Sequence, residues 1–574
     1  MACYLGGMHV KITTSGPRRY VQLVESFRDE VGRIRKRTVA TLGRLDQMGG
    51  GSLDAVINGL LKATGRNPVL GEAAKPDVSF ESARALGAVW ALNELWKTLG
   101  FDALRRVFRR TRHQTDVEAL VRVMVFNRLC DPESKLGVLR WLQTVALPDM
   151  PVEAITHQQL LRSMDALVTH QAAVDRVVAG LLRPLIDQDL SVVFYDLTTI
   201  RAEGTSVVAG DVRRFGMAKE GLIARQFMLG VVQTAEGVPI YHEVFDGNAA
   251  ETRTLLPTLT TVLERFPSVR RLILVADRGL LSLDNLESLK AIPLANGRAL
   301  EFILAVPGRR YNEFLKQLKA FHRTQCKDAT DEVIDEQTWQ GLRLIVAHDP
   351  VVAAVQTGRR AERINALLQQ AEDWIGKLDA QDIGERRRGR PLSDSGAKAR
   401  LYHTVAEAHL SRIIKVDLSS DVLRYSIDKK ARTLAEMMDG KLLLVSNAAD
   451  LSAAEMIARY KSLADIERGF KVLKSEIEIG PVYHRLPERI RAHALICFIA
   501  LILHRVMRSR LTSANTGLSP ERTLEQLTRI QHHRIRIAQG DPVTGVSTIS
   551  TEQAEMFSAL GVKKPAASQQ LSLL

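Results

Sequence analysis

The sequence predicts a mixed α/β fold preceded by a largely helical region, and three observations lead to that expectation. Two apolar runs rich in β-branched residues, LSVVFYD at 190–196 and RRLILVADRG at 270–279, each run up to an aspartate. Between them, residues 224–247 alternate as two strands around the turn AEG, which is a hairpin pattern. Residues 81–188 instead follow helical periodicity with few strand signals.

The central part of the chain predicts the order strand, hairpin, helix, strand, helix and strand. The first helix, at 251–266, contains Pro257, which predicts a kink or a delayed start. Residues 308–438 interrupt this order with helical pieces and a charged hinge, GERRRGRPLSDSG. The strand KLLLVSN at 441–447 then resumes it.

The chain divides into seven predicted segments. They are a β-hairpin region (1–45), a Gly-rich linker (46–80), a helical and DNA-binding domain (81–188), the first part of a catalytic core (189–307), an insertion (308–438), the second part of the core (439–510), and a C-terminal region with a loose tail (511–574).

Composition restricts the class of protein and its partners. The chain has 574 residues, and 79 Lys and Arg against 65 Asp and Glu give it a net charge of +14. Such an excess favours a polyanionic partner, nucleic acid first, although a long chain can also carry this charge diffusely. Four scattered cysteines predict neither a disulfide framework nor a zinc site. The longest apolar run, ten residues at 494–503, is too short for a membrane span and predicts a buried helix.

Residues 460–476, YKSLADIERGFKVLKSE, predict one amphipathic helix. Its apolar stripe recurs at steps of three and four residues. Beside that stripe, Tyr460, Glu467 and Lys474 recur every seven residues, which places them within about 40° of one another on a continuous helix.

Three carboxylates carry the predicted chemistry. Asp196 and Asp277 each follow an apolar strand, and Glu467 projects from the flank of the helix just described. Carboxylates about 5 Å apart repel by about 3 kcal/mol per pair at an effective dielectric constant near 20. Divalent cations relieve this repulsion, and oxygen ligands favour Mg²⁺ or Mn²⁺. Two such ions can activate an attacking oxygen and stabilise a leaving oxygen at phosphorus.

Each of these residues also has an ordinary structural interpretation. An aspartate after a strand is commonly a helix cap or a turn former, and a glutamate on a helix flank is commonly solvated. Spacing alone leaves four other acids as competitors. They are Glu243, Asp246, Glu251 and Asp284.

A family resemblance favours the catalytic interpretation. The segments FYDLTT, VADRG and YKSLADIERGFKVLKSE, in that order, resemble the three catalytic motifs of insertion-sequence DDE transposases with an RNase H-like core. The third motif resembles the helical tyrosine–arginine–glutamate–lysine signature of one group within them. LVESFRDEVGRIRKRTVATLG, HEVFDGNAAET and PVYHRLPERIRAHALICFIAL agree with it, so the resemblance covers most of residues 17–507.

The resemblance implies roles for individual residues. Asp196, Asp277 and Glu467 match the metal-binding triad, which implies two Mg²⁺ or Mn²⁺ ions. Tyr460 and Lys474 match residues that contact transposon-end DNA. The family also implies a largely β insertion domain between the second aspartate and the glutamate, where residues 308–438 lie.

One position departs from the family signature. Its arginine falls three residues after the tyrosine, where this chain has Leu463, a member of the apolar stripe. Leucine cannot replace a guanidinium, so one contact to end DNA is missing. Lys461, Arg468 and Lys471 are the nearby basic residues that could substitute.

The resemblance predicts a cut-and-paste transposase acting on double-stranded DNA, both transposon ends and target. It implies a homodimer in a synaptic complex, located in the bacterial cytoplasm at the nucleoid and not in a membrane. A catalytically inactive, domesticated DNA-binding relative and a metal-dependent nuclease without strand transfer remain as alternatives. No nucleotide cofactor is expected, because the sequence lacks a GxxxxGK[ST] loop.

Basic residues outside the core predict further DNA contacts. Arg105, Arg106, Arg109 and Arg110 share one face of a predicted helix and could meet phosphates, although a solvated surface explains them equally well. RGRP at 388–391 is the core of an AT-hook, but an Arg-rich loop is expected in any DNA-handling protein. The paired histidines of QHHRIRI at 531–537 lack the complementary spacing of a metal site.

Overall fold

A computed structural model provides the structure of the chain, which divides into two compact units. One unit comprises residues 1–83 and 533–545, and the other residues 84–532 and 546–574. The structure describes the following residues: 7–48, 50–66, 78–109, 111, 115–150, 154–185, 191–204, 208–217, 223–249, 251–267, 269, 271–276, 283–290, 292, 294, 297–384, 391–537 and 540–566.

The first unit contains a three-stranded antiparallel sheet instead of a simple hairpin. Strands β2 (Arg18–Arg28) and β3 (Ile34–Arg44) form the hairpin that the sequence predicts, and β1 (Gly7–Ser15) adds a strand that it did not. The Gly-rich stretch expected as a linker begins a helix, α1 (Gly50–Ala63). The apolar residues of α1 recur at helical spacing, and they outweigh the low helix propensity of the glycines.

A second small sheet lies mainly in the same unit. It consists of three strands in the order β17-β16-β4. They are β4 (Val78–Ala85), β16 (Gln531–Ile537) and β17 (Val543–Val546). In this sheet Glu81 accepts hydrogen bonds from Arg534 and Arg536, each at 2.7 Å.

The second unit begins with packed helices over the region predicted to be helical. They are α2 (Gly87–Leu99), α3 (Leu104–Phe108), α4 (Val117–Cys130), α5 (Lys135–Leu142), α6 (His157–Thr169) and α7 (Gln171–Leu182), with 3₁₀ turns at Phe101–Ala103 and Arg183–Leu185. Side-chain caps define where several of these helices begin. Asp116 and Ser134 accept the N–H of Ala119 and Gly137 at the starts of α4 and α5.

A mixed sheet forms the centre of this unit, as the predicted α/β class requires. Its order is β11-β12-β15-β10-β9-β5-β7-β6, and β8 also pairs with β7. The strands are β5 (Ser191–Arg201), β6 (Arg214–Met217), β7 (Ile223–Thr234), β8 (Pro239–Asp246), β9 (Leu272–Ala276), β10 (Glu301–Ala305), β11 (Val333–Trp339), β12 (Leu342–His348) and β15 (Lys441–Ser446). β5 runs parallel to β9 and antiparallel to β7.

Two helices connect the strands of this sheet. Helix α8 (Glu251–Arg265) lies between β8 and β9 and continues through Pro257, so the expected delay in its start does not occur. Helix α9 (Leu283–Lys290) lies between β9 and β10. The order of elements from β5 to β10 therefore follows the one that the sequence predicts, with the short strand β6 added.

The insertion is mainly helical, so the expectation of a largely β domain is wrong. Its helices are α10 (Leu315–Phe321), α11 (Pro350–Asp382), α12 (Asp394–Glu407) and α13 (Lys429–Met438), with a 3₁₀ segment at Gly308–Phe314 and a π-helical turn at His322–Cys326. Strands β13 (Ile414–Asp417) and β14 (Arg424–Ile427) form a separate small hairpin. Asp349 caps α11 through the N–H groups of Val351 and Val352, each at 3.0 Å.

Helices dominate the remainder of the chain. They are α14 (Ala453–Lys461), α15 (Leu463–Ser475), α16 (Pro487–Ser513), α17 (Pro520–Thr528) and α18 (Thr551–Ala559). Within the described residues, α16 alone is long and apolar enough to span a membrane, but 94% of that apolar stretch is buried in the protein. It is the core helix that the apolar run at 494–503 predicts. The predicted loose tail is partly wrong, because Phe557 of α18 is buried.

Candidate active site

The first predicted carboxylate, Asp196, lies within a strand and not at its end. Strand β5 continues beyond it to Arg201, because β7 pairs with β5 from Val193 through Arg201. The prediction that the strand stops at this acid is therefore wrong. The side chain of Asp196 is half-buried, and its Oδ1 accepts the backbone N–H of Leu197 at 2.8 Å.

Alternation along β5 assigns Asp196 to one face of the central sheet. Side chains two residues apart share a face, so Asp196 lies on the face of Val192 and Phe194. Those two residues pack in one apolar cluster with Met456 of α14 and Leu463 of α15. The structure therefore covers the Asp196 face with the two helices that carry the third predicted motif.

The second predicted carboxylate, Asp277, lies outside the described residues. The strand before it, β9, ends at Ala276. Ala276 pairs with Tyr195 in the parallel register of β9 and β5. The residues that precede the two predicted aspartates are thus direct neighbours across adjacent strands.

The third motif forms two helices instead of the single predicted helix. Helix α14 ends at Lys461 and α15 begins at Leu463, with Ser462 as the junction. The hydroxyl of Ser462 donates to the carbonyl of Arg459 at 2.7 Å, a side-chain bond that competes with regular helix geometry. The predicted angle between Tyr460 and the other two residues therefore does not hold.

The motif residues are divided between these helices. Half-buried Tyr460 lies on α14 and packs against the apolar cluster that contains Phe194. Glu467 and Lys474 lie on α15, and the side chain of Glu467 is outside the described part of the structure. α15 packs directly against β5, the strand of Asp196.

A groove connects the end of α15 to the strands of the central sheet. Its volume is about 460 Å³. Half-buried Lys474 lines one side, and Arg201 of β5 and Gln226 of β7 line another. Gly480 and Pro481, which follow α15, complete the wall. Arg201 also forms an ion pair with Glu203 at 2.7 Å, so its charge at the groove is partly offset.

Leu463 occupies the signature arginine position as part of the core. It is only 7% exposed and cannot contact a polar ligand. Of the possible substitutes, Lys461 binds both carboxylate oxygens of Glu332 at 2.8 Å. Arg468 and Lys471 are exposed on α15.

The competing acids differ from Asp196 in their surroundings. Glu243 of β8 accepts a hydrogen bond from the hydroxyl of Tyr241, and burial followed by the Glu243 charge raises the pKa of that phenol. Tyr241 shares the opposite face of the sheet with Tyr195. Asp246 forms an ion pair with Arg214 at 2.9 Å. Glu251 and Asp284 lie on α8 and α9 with side chains outside the described residues.

The arginines of α3 are only partly available to a ligand. Leu104 and Phe108 are buried, and Arg105, Arg106 and Arg109 are exposed, as the face pattern predicts. Arg105 bonds to Asp116 and to buried Glu118, each at 3.1 Å. Arg110 lies outside the described residues.

Two residues that the sequence did not single out hold the end of α15. Arg128 of α4 donates to the carbonyl oxygens of Ile477 and Glu478 at 3.4 and 3.1 Å. His493 of α16 lies 2.9 Å from the carbonyl oxygen of Ile479 through Nε2. These bonds hold the segment that follows α15, whose last residue is Ser475. The two arginines in the mainly apolar stretch VRVMVFNRLC, Arg122 and Arg128, were the available signal.

The minor signals add no ligand site. The AT-hook core RGRP lies outside the described residues except for Pro391. The histidines of QHHRIRI belong to β16. Across the described side chains there is no group of three or more His, Cys, Asp or Glu that could hold a metal ion. A carboxylate triad would therefore have to include acids whose side chains are not described, which are Asp277, Glu467 and the competitors Glu251 and Asp284 among the residues considered.

Two family models assign the chain to one class. A family model for the transposase DDE domain matches residues 187–503, and a model for the N-terminal domain of IS1634 family transposases matches residues 9–74. No curated protein matches the chain. Among solved structures, a cryo-EM structure of the piggyBac transposase synaptic complex with hairpin DNA is similar at 9% identity. It covers 77% of this chain and 79% of that one, with a TM-score of 0.36.

Proposed function

The chain belongs to the DDE transposases of insertion sequences, and on that premise we propose that it catalyses cut-and-paste transposition. It cleaves DNA at the ends of its own insertion sequence and joins those ends to target DNA. The partners are double-stranded transposon ends, double-stranded target and a second copy of the chain in a synaptic complex. Cleavage and joining take place in the bacterial cytoplasm, at the nucleoid.

The catalytic core is an RNase H-like fold. The order β8-β7-β5-β9-β10 supports this assignment, with β5, β7 and β8 antiparallel and β9 and β10 parallel to β5. This is the arrangement of an RNase H-like sheet, in which three meandering strands are followed by two that run parallel to the first. Helices α8 and α9 fall in the two connections that such a sheet requires.

Asp196, Asp277 and Glu467 form the catalytic triad. The observation that carries this proposal is the pairing of Tyr195 with Ala276 in adjacent parallel strands. Each paired residue directly precedes one proposed aspartate, so one peptide bond separates each aspartate from that pair. The packing of α15 against β5, on the face of Asp196, supports Glu467 as the third member.

The donor set fits Mg²⁺ or Mn²⁺. The Asp196 carboxylate accepts a backbone N–H, which suits its ionised form, and the other two proposed ligands are also carboxylates. Asp196, Asp277 and Glu467 would hold such ions. Such ions, when bound, supply activation of an attacking oxygen and stabilisation of a leaving oxygen.

The reaction proceeds by successive exchanges of phosphodiester bonds. Water displaces the 3′ oxygen at the transposon end and frees a 3′-OH. That hydroxyl then attacks the opposite strand to form a hairpin, and after the hairpin is opened it attacks target DNA. Tyr460 and Lys474 hold the end DNA, and the groove lined by Lys474 and Arg201 supports a strand passing close to Asp196. In the hydrolytic steps water is the nucleophile, and in the transfer steps one phosphodiester bond is exchanged for another. No step therefore needs a nucleotide cofactor.

Arg106, Arg109 and Arg110 extend the DNA contacts, and Arg105 contributes less. The ion pairs of Arg105 support this difference, because two carboxylates already engage its guanidinium. The N-terminal sheet contributes to end binding through its basic strands β2 and β3.

The test uses DNA that carries the terminal repeats of the element encoding the chain, a target plasmid and Mg²⁺. We expect nicking at the ends and joined products with the wild type. Asp196→Asn should reduce both by at least about a thousandfold, while Glu243→Gln, a matched acid on the opposite sheet face, should leave both within a few fold.

Three outcomes separate the alternatives. Equal cleavage by the wild type and Asp196→Asn contradicts the triad. Tight binding of end DNA without cleavage by the wild type favours the inactive, domesticated relative. Cleavage without joined products favours a nuclease that lacks strand transfer.

A further inference from the structure

A group of largely buried basic side chains lies beside the end of α15; burial lowers the pKa of its two histidines, that of His484 to about 4, so Arg128 and Lys135 are its cations. We call it the basic cluster and define it as Arg128 of α4, Lys135 of α5, His493 of α16, and His484 in the segment between α15 and α16. Arg128 is 5% exposed, and Lys135 and His493 are each 6% exposed. His484 is half-buried, and its ring centroid lies 5.7 Å from that of His493.

No carboxylate neutralises this cluster among the side chains that the structure describes. The electrostatic neighbours of Lys135 are Arg128 and the Cys497 thiol. Those of His493 are Lys135, Arg128 and His484. Isolated buried cations are costly, because the loss of hydration amounts to several kcal/mol per ion.

Other buried cations in the same unit do have acidic partners. Arg213, whose side chain is fully buried, bonds to Asp211 at 2.9 Å. Arg122 lies 3.5 Å from the carboxylate of Glu118. The basic cluster therefore differs from these two arginines and resembles Lys441, a buried lysine whose described hydrogen-bond partners include His322 and His348.

The cluster also has hydrogen-bond donors that remain unused. The Nε of Arg128 is sealed from solvent without a partner, whereas the neutral ring of His493 donates its Nε2–H to Ile479 and leaves an acceptor at Nδ1. Lys135 Nζ has no hydrogen-bond acceptor in the described part of the chain, yet it is not among the sealed atoms. Lys135 is also the first residue of α5, where the helix dipole disfavours a cation and favours an anion.

The cluster and the groove at Lys474 share a segment of chain. Ile479, Gly480 and Pro481 line the groove. Arg128 and His493 contact the carbonyl oxygens of residues 477–479, and His484 follows within the same segment. A DNA strand that leaves the groove along this segment would carry its phosphates to the cluster.

We propose that the basic cluster is a phosphate-binding site in which Lys135 and His484 bind a backbone phosphate of the substrate DNA. This assignment rests on the proposed function for the DNA, whereas inorganic phosphate or sulfate has the same binding chemistry. Charge-assisted bonds to a phosphate oxygen would satisfy the donors that protein acceptors leave unused. Burial, followed by the Arg128 charge, lowers the pKa of Lys135 to about 7, and a bound anion would restore the charged form.

The first experiment measures thermal unfolding of the full chain with inorganic phosphate, and with chloride at the same ionic strength. We expect phosphate to raise the Tm of the wild type and to have little effect on Lys135→Met. The matched control is Lys97→Met, because Lys97 is an exposed lysine of the same helical region. It should respond like the wild type. Absence of a phosphate-specific shift in the wild type would overturn the site.

The second experiment measures binding of end DNA by full-length protein that carries Asp196→Asn, without divalent metal. Its outcome is therefore independent of whether the chain cleaves DNA. Lys135→Met should weaken binding about tenfold and reduce the salt slope by about one. Lys97→Met should change neither quantity.

The two experiments together distinguish the sources of the phosphate. A phosphate-specific Tm shift with an unchanged DNA salt slope would overturn the DNA assignment and leave a site for free phosphate. If Lys135→Met does not fold, His484→Gln replaces it, because His484 is half-buried and glutamine keeps a hydrogen-bonding group. An unchanged Tm shift and salt slope in His484→Gln would then contradict the proposal.

Discussion

Arg105 of α3 has carboxylate partners, whereas the basic cluster around Lys135 has none among the described residues. Arg105 is exposed and bonds to two carboxylates, Asp116 and Glu118, at 3.1 Å each. Lys135 is buried, and its charged neighbour among the described residues is another cation, Arg128. The sequence left a phosphate contact and a solvated surface equally open for Arg105, and we propose the basic cluster as the phosphate site.

The comparison shows that the availability of a cation depends on its partners more than on its exposure. A paired arginine must give up a carboxylate before it binds a phosphate, which reduces the net gain. An unpaired buried lysine has already lost much of its hydration, so an anion gains more by binding it. The net charge of +14 does not distinguish these cases.

The largest expected effect comes from removing the carboxylate of Glu118, which pairs with Arg105 and Arg122. Glu118 is 1% exposed, and it also accepts the indole N–H of Trp96 at 2.8 Å. Glu118→Gln keeps that acceptor but leaves Arg122 buried without its carboxylate. We expect a loss of about 3–5 kcal/mol in the free energy of unfolding, measured by chemical denaturation. A loss below about 1 kcal/mol would show that pairing matters little here.

The second effect is a pH dependence of the free energy of unfolding that comes from Lys135. The pKa of Lys135 is about 7 in the folded protein against an ordinary value of 10.5. Above pH 7 the folded state releases this proton while the unfolded state keeps it, so the free energy of unfolding rises with pH. Between pH 7 and pH 9 the rise should be about 2 kcal/mol.

Denaturation curves of wild type and Lys135→Met across that pH range measure this contribution by difference. The charged groups around Lys135 are Arg128, Cys497, His484 and His493, and they are retained in both proteins. The curves should diverge without phosphate and converge when phosphate is saturating. Parallel curves would mean that Lys135 does not titrate in this range.

The smallest effect concerns the arginines of α3. Arg106→Ala should lower the salt slope of DNA binding by about one, with a modest loss of affinity. Arg105→Ala should change the slope by much less, because its charge is already offset by Glu118 and Asp116. An equal change in the two slopes would remove the distinction between paired and unpaired cations on this helix.

Local periodicity was sufficient to predict much of the core. The apolar runs before Asp196 and Asp277 are strands, the pattern at 224–247 is a hairpin, and the run at 494–503 is a buried helix. These elements carry their signal in their own side chains, because burial on one or both faces imposes a period of 2 or 3.6.

The remaining features depend on contacts that a local pattern does not contain. The junction at Ser462 lies where its hydroxyl bonds to the carbonyl of Arg459, and β5 extends past Asp196 because β7 pairs with it. The strand β1 is exposed and needs β2 to form. In the sequence, Lys135 is an ordinary lysine at the start of a helix. Only the folded structure brings it close to Arg128 and His493.

The central claim is that Asp196 holds a catalytic metal ion and that Glu243 does not. Asp196 lies on the sheet face that packs against α14 and α15, and Glu243 lies on the opposite face. Calorimetric titration of Mn²⁺ into the full chain bound to end DNA tests it most directly. We predict that the wild type and Glu243→Gln bind Mn²⁺ alike and that Asp196→Asn loses at least about tenfold in affinity. Unchanged Mn²⁺ binding by Asp196→Asn would contradict the account.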